Sequence, residues 1–357
     1  MTIVGWSQIA IILACVVAAA IPFSRLIDAV YAGRRNPLSS VLRPIEVAFL
    51  RIAGVDETRE QTWRGYALAM IAFSVAGFLS LYALQRLQGV LPLNPQGFDG
   101  VAPDLAFNTS ISFITNTNWQ NYGGETTMSH LTQMLGLTVH NFLSAATGLA
   151  MAFALVRALA RSSAKTVGNF WVDMTRITLY LLLPLSIVIA LLMVLSGVPQ
   201  TLQGSVDVTT LEGVKQTLSL GPIASQEAIK ELGTNGGGFM NANSAHPFEN
   251  PNAFSNMLQI WALLLIPVAS VIAFGRAVGD IKQGRAILIA MGVLLIAGVA
   301  AIYAAETYGN PTLTALGLDP SSGNMEGKGA SVRRRRPCSA RRPAAPAPAP
   351  SMRCSIR

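Results

Sequence analysis

Thr234-Asn235-Gly236-Gly237-Gly238-Phe239-Met240-Asn241 is the stretch on which the fold turns, because an earlier one answers it: Thr115-Asn116-Thr117-Asn118-Trp119-Gln120-Asn121-Tyr122-Gly123-Gly124. Each follows a short helical pattern, Ser225 to Leu232 in one case and Asp104 to Ile114 in the other. Neither pattern is long enough to cross a bilayer, which takes about 20 apolar residues. Each is preceded and followed by an apolar run that is long enough. The unit helix, half-helix, loop, helix therefore occurs twice, as an internal repeat.

Six stretches of the chain are free of Asp, Glu, Lys and Arg and long enough to span: 1–24, 65–85, 131–156, 177–203, 252–275 and 286–305. A charge at a helix centre costs about 2.5–3.5 kcal/mol on insertion scales, so six clean runs read as six crossings. The first is too long for a signal-peptide core and has no basic start, which makes it a mature helix. Trp6, Trp63, Tyr66 and Trp171 flank the runs, as interfacial aromatics do. The composition agrees: of 357 residues 51% are hydrophobic and only 12% charged, which excludes a disordered chain and argues against a soluble enzyme. Three cysteines, with Cys338 and Cys354 near the end, exclude a disulfide scaffold, and Cys15 reads as a small lipid-facing or packing residue. The expected fold class is an all-α polytopic membrane protein.

Basic residues orient it. Segments 25–64, 157–176 and 276–285 hold 14 basic residues, while the alternate segments hold only Arg86, Lys215, Lys230 and Lys328. By the positive-inside rule the first set is cytoplasmic, and the N-terminus, segments 86–130 and 204–251 and the chain after the sixth run lie outside. The net charge of +8 belongs to residues 329–357, which carry eight arginines and no acid; without them Lys plus Arg and Asp plus Glu stand at 18 each. The basic balance is thus no argument for nucleic-acid binding.

Irregular backbone at membrane depth is tolerated where it lines a cavity or is buried in protein. A half-helix that stops there aims the negative end of its dipole at the axis, which favours a cation. Backbone carbonyls can replace an ion's water shell, and glycine allows the φ/ψ values this demands. Thr hydroxyls and Asn amides can add oxygens or tie the loop from behind. Neither loop carries a carboxylate, so a divalent site built on acidic side chains is disfavoured and a dehydrated monovalent cation fits better. The plain alternative is a pair of Asn/Gly-rich surface turns.

The residues that decide between these resemble a known family. Asn116-Thr117-Asn118-Trp119-Gln120 and the run from Thr234 to Pro251, Thr-Asn-Gly-Gly-Gly-Phe-Met-Asn-Ala-Asn-Ser-Ala-His-Pro-Phe-Glu-Asn-Pro, resemble the first two selectivity-filter segments of the potassium-binding A subunit of the Kdp potassium-transporting ATPases. Tyr82 to Gly89 and Leu91 to Pro95 resemble the stretch before the first filter. The resemblance runs to about Lys328. It implies a potassium-channel-like fold of four helix–half-helix–helix repeats and ten crossings, of which about six are present here. It implies a multi-pass subunit of the bacterial plasma membrane that takes potassium from outside and passes it to a partner P-type ATPase subunit, alongside small accessory subunits. ATP hydrolysis belongs to that partner, whose Asp-Lys-Thr-Gly-Thr motif is absent here. No covalent cofactor is expected, and the chain by itself is not expected to be an enzyme.

On this resemblance 1–24 is an extra helix and 25–64 a basic loop. Repeat one is 65–156 with its filter at 115–120, followed by a connection at 157–176. Repeat two is 177–275 with its filter at 234–239, and 276–328 begins repeat three. The third and fourth filters are not found, so selective transport by this chain alone is not expected. The filter candidates are Thr115, Asn116, Thr117, Asn118 and Gln120, then Thr234, Asn235, Gly236, Gly237 and Gly238. Thr115 and Thr234 sit where filter threonines sit in that superfamily. A side chain at any of the three glycines should crowd the pore. Residues 329–357, rich in Arg, Pro and Ala, read as an out-of-frame tail, the alternative being a disordered basic tail that meets anionic lipid.

Other polar groups are read singly. His140 and Asn141 are expected to hydrogen-bond between helices rather than relay protons, and His130 to lie on the polar surface. His246 and Glu249 form His-x-x-Glu without a second histidine at metal spacing. Asp173 and Arg176 are placed to pair one turn apart. Asn108-Thr109-Ser110 matches a glycosylation pattern but falls in the half-helix. Two rival functions remain: a secondary transporter with re-entrant loops, and an intramembrane hydrolase built on a histidine and a serine, for which no nucleophile motif exists.

Overall fold

A computed structural model describes residues 2–161 and 165–308. The expected lead-in to a third half-helix at 324–328 and the tail at 329–357 lie outside the described residues. In chain order the helices are α1 (Ile3–Tyr31), α2 (Ser39–Ile52), α3 (Trp63–Leu87), α4 (Pro103–Ile114), the single turn α5 (Gly124–Thr127), α6 (Val139–Ala160), α7 (Phe170–Arg176), α8 (Leu183–Leu195), α9 (Ile223–Leu232), α10 (Ala253–Ala277) and α11 (Ile281–Tyr308). A π-helical stretch, Thr132–Thr138, leads into α6, and another, Ile177–Leu182, joins α7 to α8. Six continuous helices among the described residues are long and apolar enough to cross a membrane: Ile3–Tyr31, Trp63–Leu87, Thr132–Ala160, Phe170–Leu195, Ala253–Ala277 and Ile281–Thr307.

Each boundary has a local cause. The Thr2 hydroxyl accepts from Gly5 N at 3.1 Å to start α1, and Asn252 with Ser255 forms a capping box that starts α10. The π stretch before α8 precedes Pro184, whose ring removes one N–H from the ladder; the wider turn accommodates the break. Helix α10 packs against α1 and α11. Its approach to α11 is closest at Gly275 and Gly284, where a Cβ on either would lie about 3 Å from the other's Cα.

Two expectations are corrected and one element is added. Segment 25–64 is not a loop: α1 continues to Tyr31 and α2 fills Ser39–Ile52. The charges on the last turns of α1 do not stop the helix, because Arg25 lies at its exposed surface and long basic side chains reach toward water. Segment 204–251 contains an antiparallel hairpin, β1 (Val206–Thr209) with β2 (Lys215–Leu218), pairing Val206 with Leu218 and Thr209 with Lys215. Asp173 and Arg176 do not pair with each other. Asp173 takes Arg157 from α6 in a two-pronged ion pair at 2.6 and 2.8 Å and also accepts from the Tyr66 hydroxyl at 3.0 Å. Arg176 instead donates to Glu46 at 2.7 Å and Glu57 at 3.2 Å. The planar guanidinium of Arg157 matches both carboxylate oxygens, a geometry a neighbour one turn along the same helix cannot supply so well.

These contacts tie the basic end of the bundle together. Arg157 also stacks over the Tyr31 ring at 5.0 Å and donates to the Val167 carbonyl at 3.1 Å. Glu46, fully buried on α2, receives Arg176, Arg43 at 2.6 Å and the Tyr180 hydroxyl at 2.7 Å. Burial would raise the Glu46 carboxyl, but Arg176, Tyr180 and Arg43 together hold it below the ordinary glutamate value. Cys15 is exposed on α1, as a lipid-facing residue would be.

Removing one partner of a buried ion pair strands the other. Arg157→Met is expected to lower stability by about 3–5 kcal/mol, and adding Asp173→Leu to recover much of that loss. Thermal unfolding followed by tryptophan fluorescence in detergent checks both.

Candidate ion-binding site

Helices α4 and α9 end in the same way. In α4 the cap is Thr115, and the next residue, Asn116, is left-handed at φ 61°. Asn116 N donates to Phe113 O at 3.4 Å and Thr117 N to Ser112 O at 3.0 Å. In α9 the cap is Gly233, and Thr234 is left-handed at φ 54°. Thr234 N donates to Glu231 O at 3.1 Å and Asn235 N to Lys230 O at 2.9 Å. Both are Schellman endings, in which crossed N–H bonds satisfy the last carbonyls and turn the chain sharply away.

This geometry resets the alignment of the repeat by one residue. Thr115 corresponds to Gly233 and Asn116 to Thr234, so Thr115 and Thr234 are not equivalent. Two residues further on the backbone is left-handed again, at Asn118 (φ 53°) and Gly236 (φ 75°). Asparagine tolerates that region well, whereas a β-branched residue such as Thr234 holds it only because its surroundings impose it.

The two loops are bound to each other. Asn235 Nδ2 donates to Asn116 Oδ1 and, at 3.1 Å, to the Ser144 hydroxyl from α6. Asn116 Nδ2 reaches the Gly233 carbonyl at 3.4 Å. Further along, the Gln120 amide pairs with Gly238 as a strand would: Oε1 accepts from Gly238 N at 2.8 Å and Nε2 donates to Gly238 O at 3.0 Å. Asn118, buried, donates to Asn141 Oδ1 at 2.7 Å. His140 Nε2 lies 3.0 Å from the Gly77 carbonyl on α3, so both mid-helix polar residues bond between elements as expected. The Thr115 hydroxyl donates back to Ile111 O at 2.9 Å and lies 2.9 Å from that of Thr117.

A cavity of about 430 Å³ opens where both half-helices end, lined by Thr115, Asn116, Ser144, Gly233, Thr234 and Ser270 among others. Two helix C-termini direct the negative ends of their dipoles into it. The three glycines differ in what surrounds them. A Cβ on Gly236 would meet nothing within 4 Å, one on Gly237 would lie 2.9 Å from Asn118 O, and one on Gly238 2.6 Å from Glu249 Oε1. Only Gly236 therefore faces open space. The Gly237 and Gly238 carbonyls already have protein donors, Lys230 Nζ at 2.8 Å and Gln120 Nε2.

Several residues of this site escape a sequence reading. Ser144 joins the two amides although it sits in an ordinary apolar run. Lys230 and Glu227 are fully buried and paired at 2.7 Å, but at i, i+3 they look like a solvated helix surface. Glu249, also buried, accepts from Met240 N at 2.8 Å and Ser244 N at 2.7 Å. His246 takes Phe248 N on its Nδ1 at 3.1 Å. Among the described residues no three His, Cys, Asp or Glu side chains converge as a metal-ligand set. His130 is buried rather than on the surface, with Nε2 3.1 Å from the Leu220 carbonyl, because the chain entering α9 folds over it.

The family model described as "Potassium-transporting ATPase A subunit" matches residues 10–333. The potassium-transporting ATPase potassium-binding subunit of Allorhizobium ampelinum is 62% identical over 91% of this chain and 57% of its own length. Those of Methylorubrum populi (60% identical; 92% of this chain, 57% of the relative) and Mesorhizobium japonicum (58% identical; 92% and 58%) are similar in extent. The chain thus spans 57–58% of the length of these relatives.

Gln120→Leu keeps the side-chain volume but leaves Gly238 N–H and C=O without partners. The expected cost is about 1–3 kcal/mol, read as a lower thermal midpoint together with faster deuterium exchange across 236–240.

Proposed function

The chain belongs to the family of potassium-transporting ATPase A subunits, and from that premise we propose that its paired loops, 115–120 and 234–238, bind potassium ions. The observation that supports this most is the convergence of two Schellman-ended half-helices on one cavity, with Asn116 and Asn235 holding the loops side by side. The oxygens offered there are carbonyls, hydroxyls and amides. Such weak-field neutral ligands suit a large monovalent cation, which gives up its water more readily than a small or divalent one.

In this reading the loops face the outside of a bacterial plasma membrane. The chain acts as the ion-binding subunit of an ATP-driven uptake complex. It hydrolyses no ATP itself; a partner P-type ATPase subunit does, with small accessory subunits completing the assembly. Thr115, Thr117, Asn235 and Gly236 contribute from the two loop backbones, while Asn116, Asn118 and Gln120 fasten the loops. Both half-helices end on the same cavity, which favours a channel-like filter over the inverted repeats of a secondary transporter.

Deuterium exchange of the purified chain in lipid nanodiscs tests the reading. Potassium chloride is expected to slow exchange across 115–120 and 234–238 relative to choline chloride, and more than sodium chloride does. Gly236→Asp, which adds a charged side chain at a left-handed residue, is expected to abolish that difference. A folded chain whose two loops ignore potassium would overturn the proposal.

A further inference from the structure

Superposing the two half-helix endings by their caps pairs two side chains of unlike chemistry. Ser112 and Lys230 each lie three residues before the cap, and each has its own main-chain carbonyl claimed by the Schellman turn. Each also reaches forward over the loop to the same backbone carbonyl. Ser112 Oγ donates to Trp119 O at 3.0 Å, and Lys230 Nζ donates to Gly237 O at 2.8 Å. Trp119 and Gly237 are equivalent in the corrected alignment, each seven residues beyond its donor. The contact therefore occurs twice, once in each repeat.

A lysine at this place is costly to bury and needs a reason. It is fully buried, and Glu227 Oε1 lies 2.7 Å from its ammonium. A Cβ on Gly238 would lie 2.8 Å from Lys230 Nζ and 2.6 Å from Glu249 Oε1, which places this second buried carboxylate beside the ammonium. Glu249 in turn holds Met240 N and Ser244 N, beyond the loop. Ammonium and carboxylates thus bracket the segment 237–244 from behind. A carbonyl that already accepts from an ammonium is a poor ligand for a cation, because the two positive charges would meet at one oxygen. Gly236 and Gly237 are both left-handed, at φ 75° and 69°, so the loop bends where that carbonyl is drawn aside.

We infer that Ser112 and Lys230 are equivalent positioning residues, each drawing the carbonyl seven residues ahead out of its loop and so setting which oxygens remain for the ion. The first loop is clamped by a neutral hydroxyl and the second by a charged amine. The second is the stiffer, because a hydrogen bond from a charged donor is stronger than one from a neutral donor. Loop two accordingly sets discrimination between ions and loop one adapts to it. This rests on the proposed potassium site for its consequence, but not for the clamp itself.

The test uses the full chain in nanodiscs, with deuterium exchange in choline, potassium and sodium chloride. Without binding ions, Lys230→Met is expected to speed exchange across 236–240 at least about tenfold, and Ser112→Ala to speed it less and only across 117–121. Lys230→Gln, which can still donate to Gly237 O, is expected to restore part of the protection. With ions, Lys230→Met is expected to lose the difference between potassium and sodium, while Ser112→Ala keeps it. If Lys230→Met does not fold, Lys230→Gln and Ser112→Ala carry the comparison. Folded variants with unchanged exchange in their own loops would overturn the inference, as would exchange rising evenly through the chain. A wild-type chain indifferent to potassium would overturn the proposed function, and the choline arm would still decide the clamp.

Discussion

Backbone that leaves the helix inside a membrane protein must find partners for its N–H and C=O groups within the protein, and the centre of this molecule is organised by that requirement. The loops after α4 and α9 meet it by the same steps. A Schellman turn closes each half-helix, a side chain from the last helical turn takes a carbonyl of the loop, and amides from one loop bond the other. The neighbouring long helices supply what is left, through Ser144 and Asn141 on α6. Apart from the charged contact of Lys230 with Gly237, these bonds join neutral groups and are each modest. Together they hold three non-glycine residues of the two loops, Asn116, Asn118 and Thr234, at positive φ.

Charge is kept away from the cavity. At the basic end of the bundle Arg157 with Asp173, and Glu46 with Arg43 and Arg176, close the helices against each other. Behind the second loop Lys230 is matched by Glu227 and flanked by Glu249. Between these two sites the cavity walls offer hydroxyls, amides and apolar groups. A cation there would feel two helix dipoles rather than a fixed carboxylate, and a dipole field holds an ion without trapping it.

The crossings were legible because charge-free runs of that length have few other uses. The half-helices were legible because a short helical pattern before Asn and Gly occurred twice. What escaped did so for identifiable reasons. Helix α2 is amphipathic and carries charges, so a search for clean runs passes over it. The Thr-Asn pairs at 115–116 and 234–235 suggest an equivalence that the backbone rejects, since the left-handed residue is Asn116 in one loop and Thr234 in the other. The partners of Asp173 and Arg176 come from other helices, which spacing along one helix cannot reveal.

By itself the sequence determined the six runs long and apolar enough to cross that the described residues contain, that a short helix stands between long ones in two places, and that the loops after those short helices carry no acid. All three follow from composition within a window, where the cost of a charge or a polar backbone in lipid acts locally. Only the tertiary structure decided the register between the loops, the carbonyls left without a protein donor, and the burial of Lys230 beneath Gly237. Those depend on which groups from distant segments arrive within hydrogen-bonding distance, and one residue of backbone in the left-handed region redirects every carbonyl that follows it.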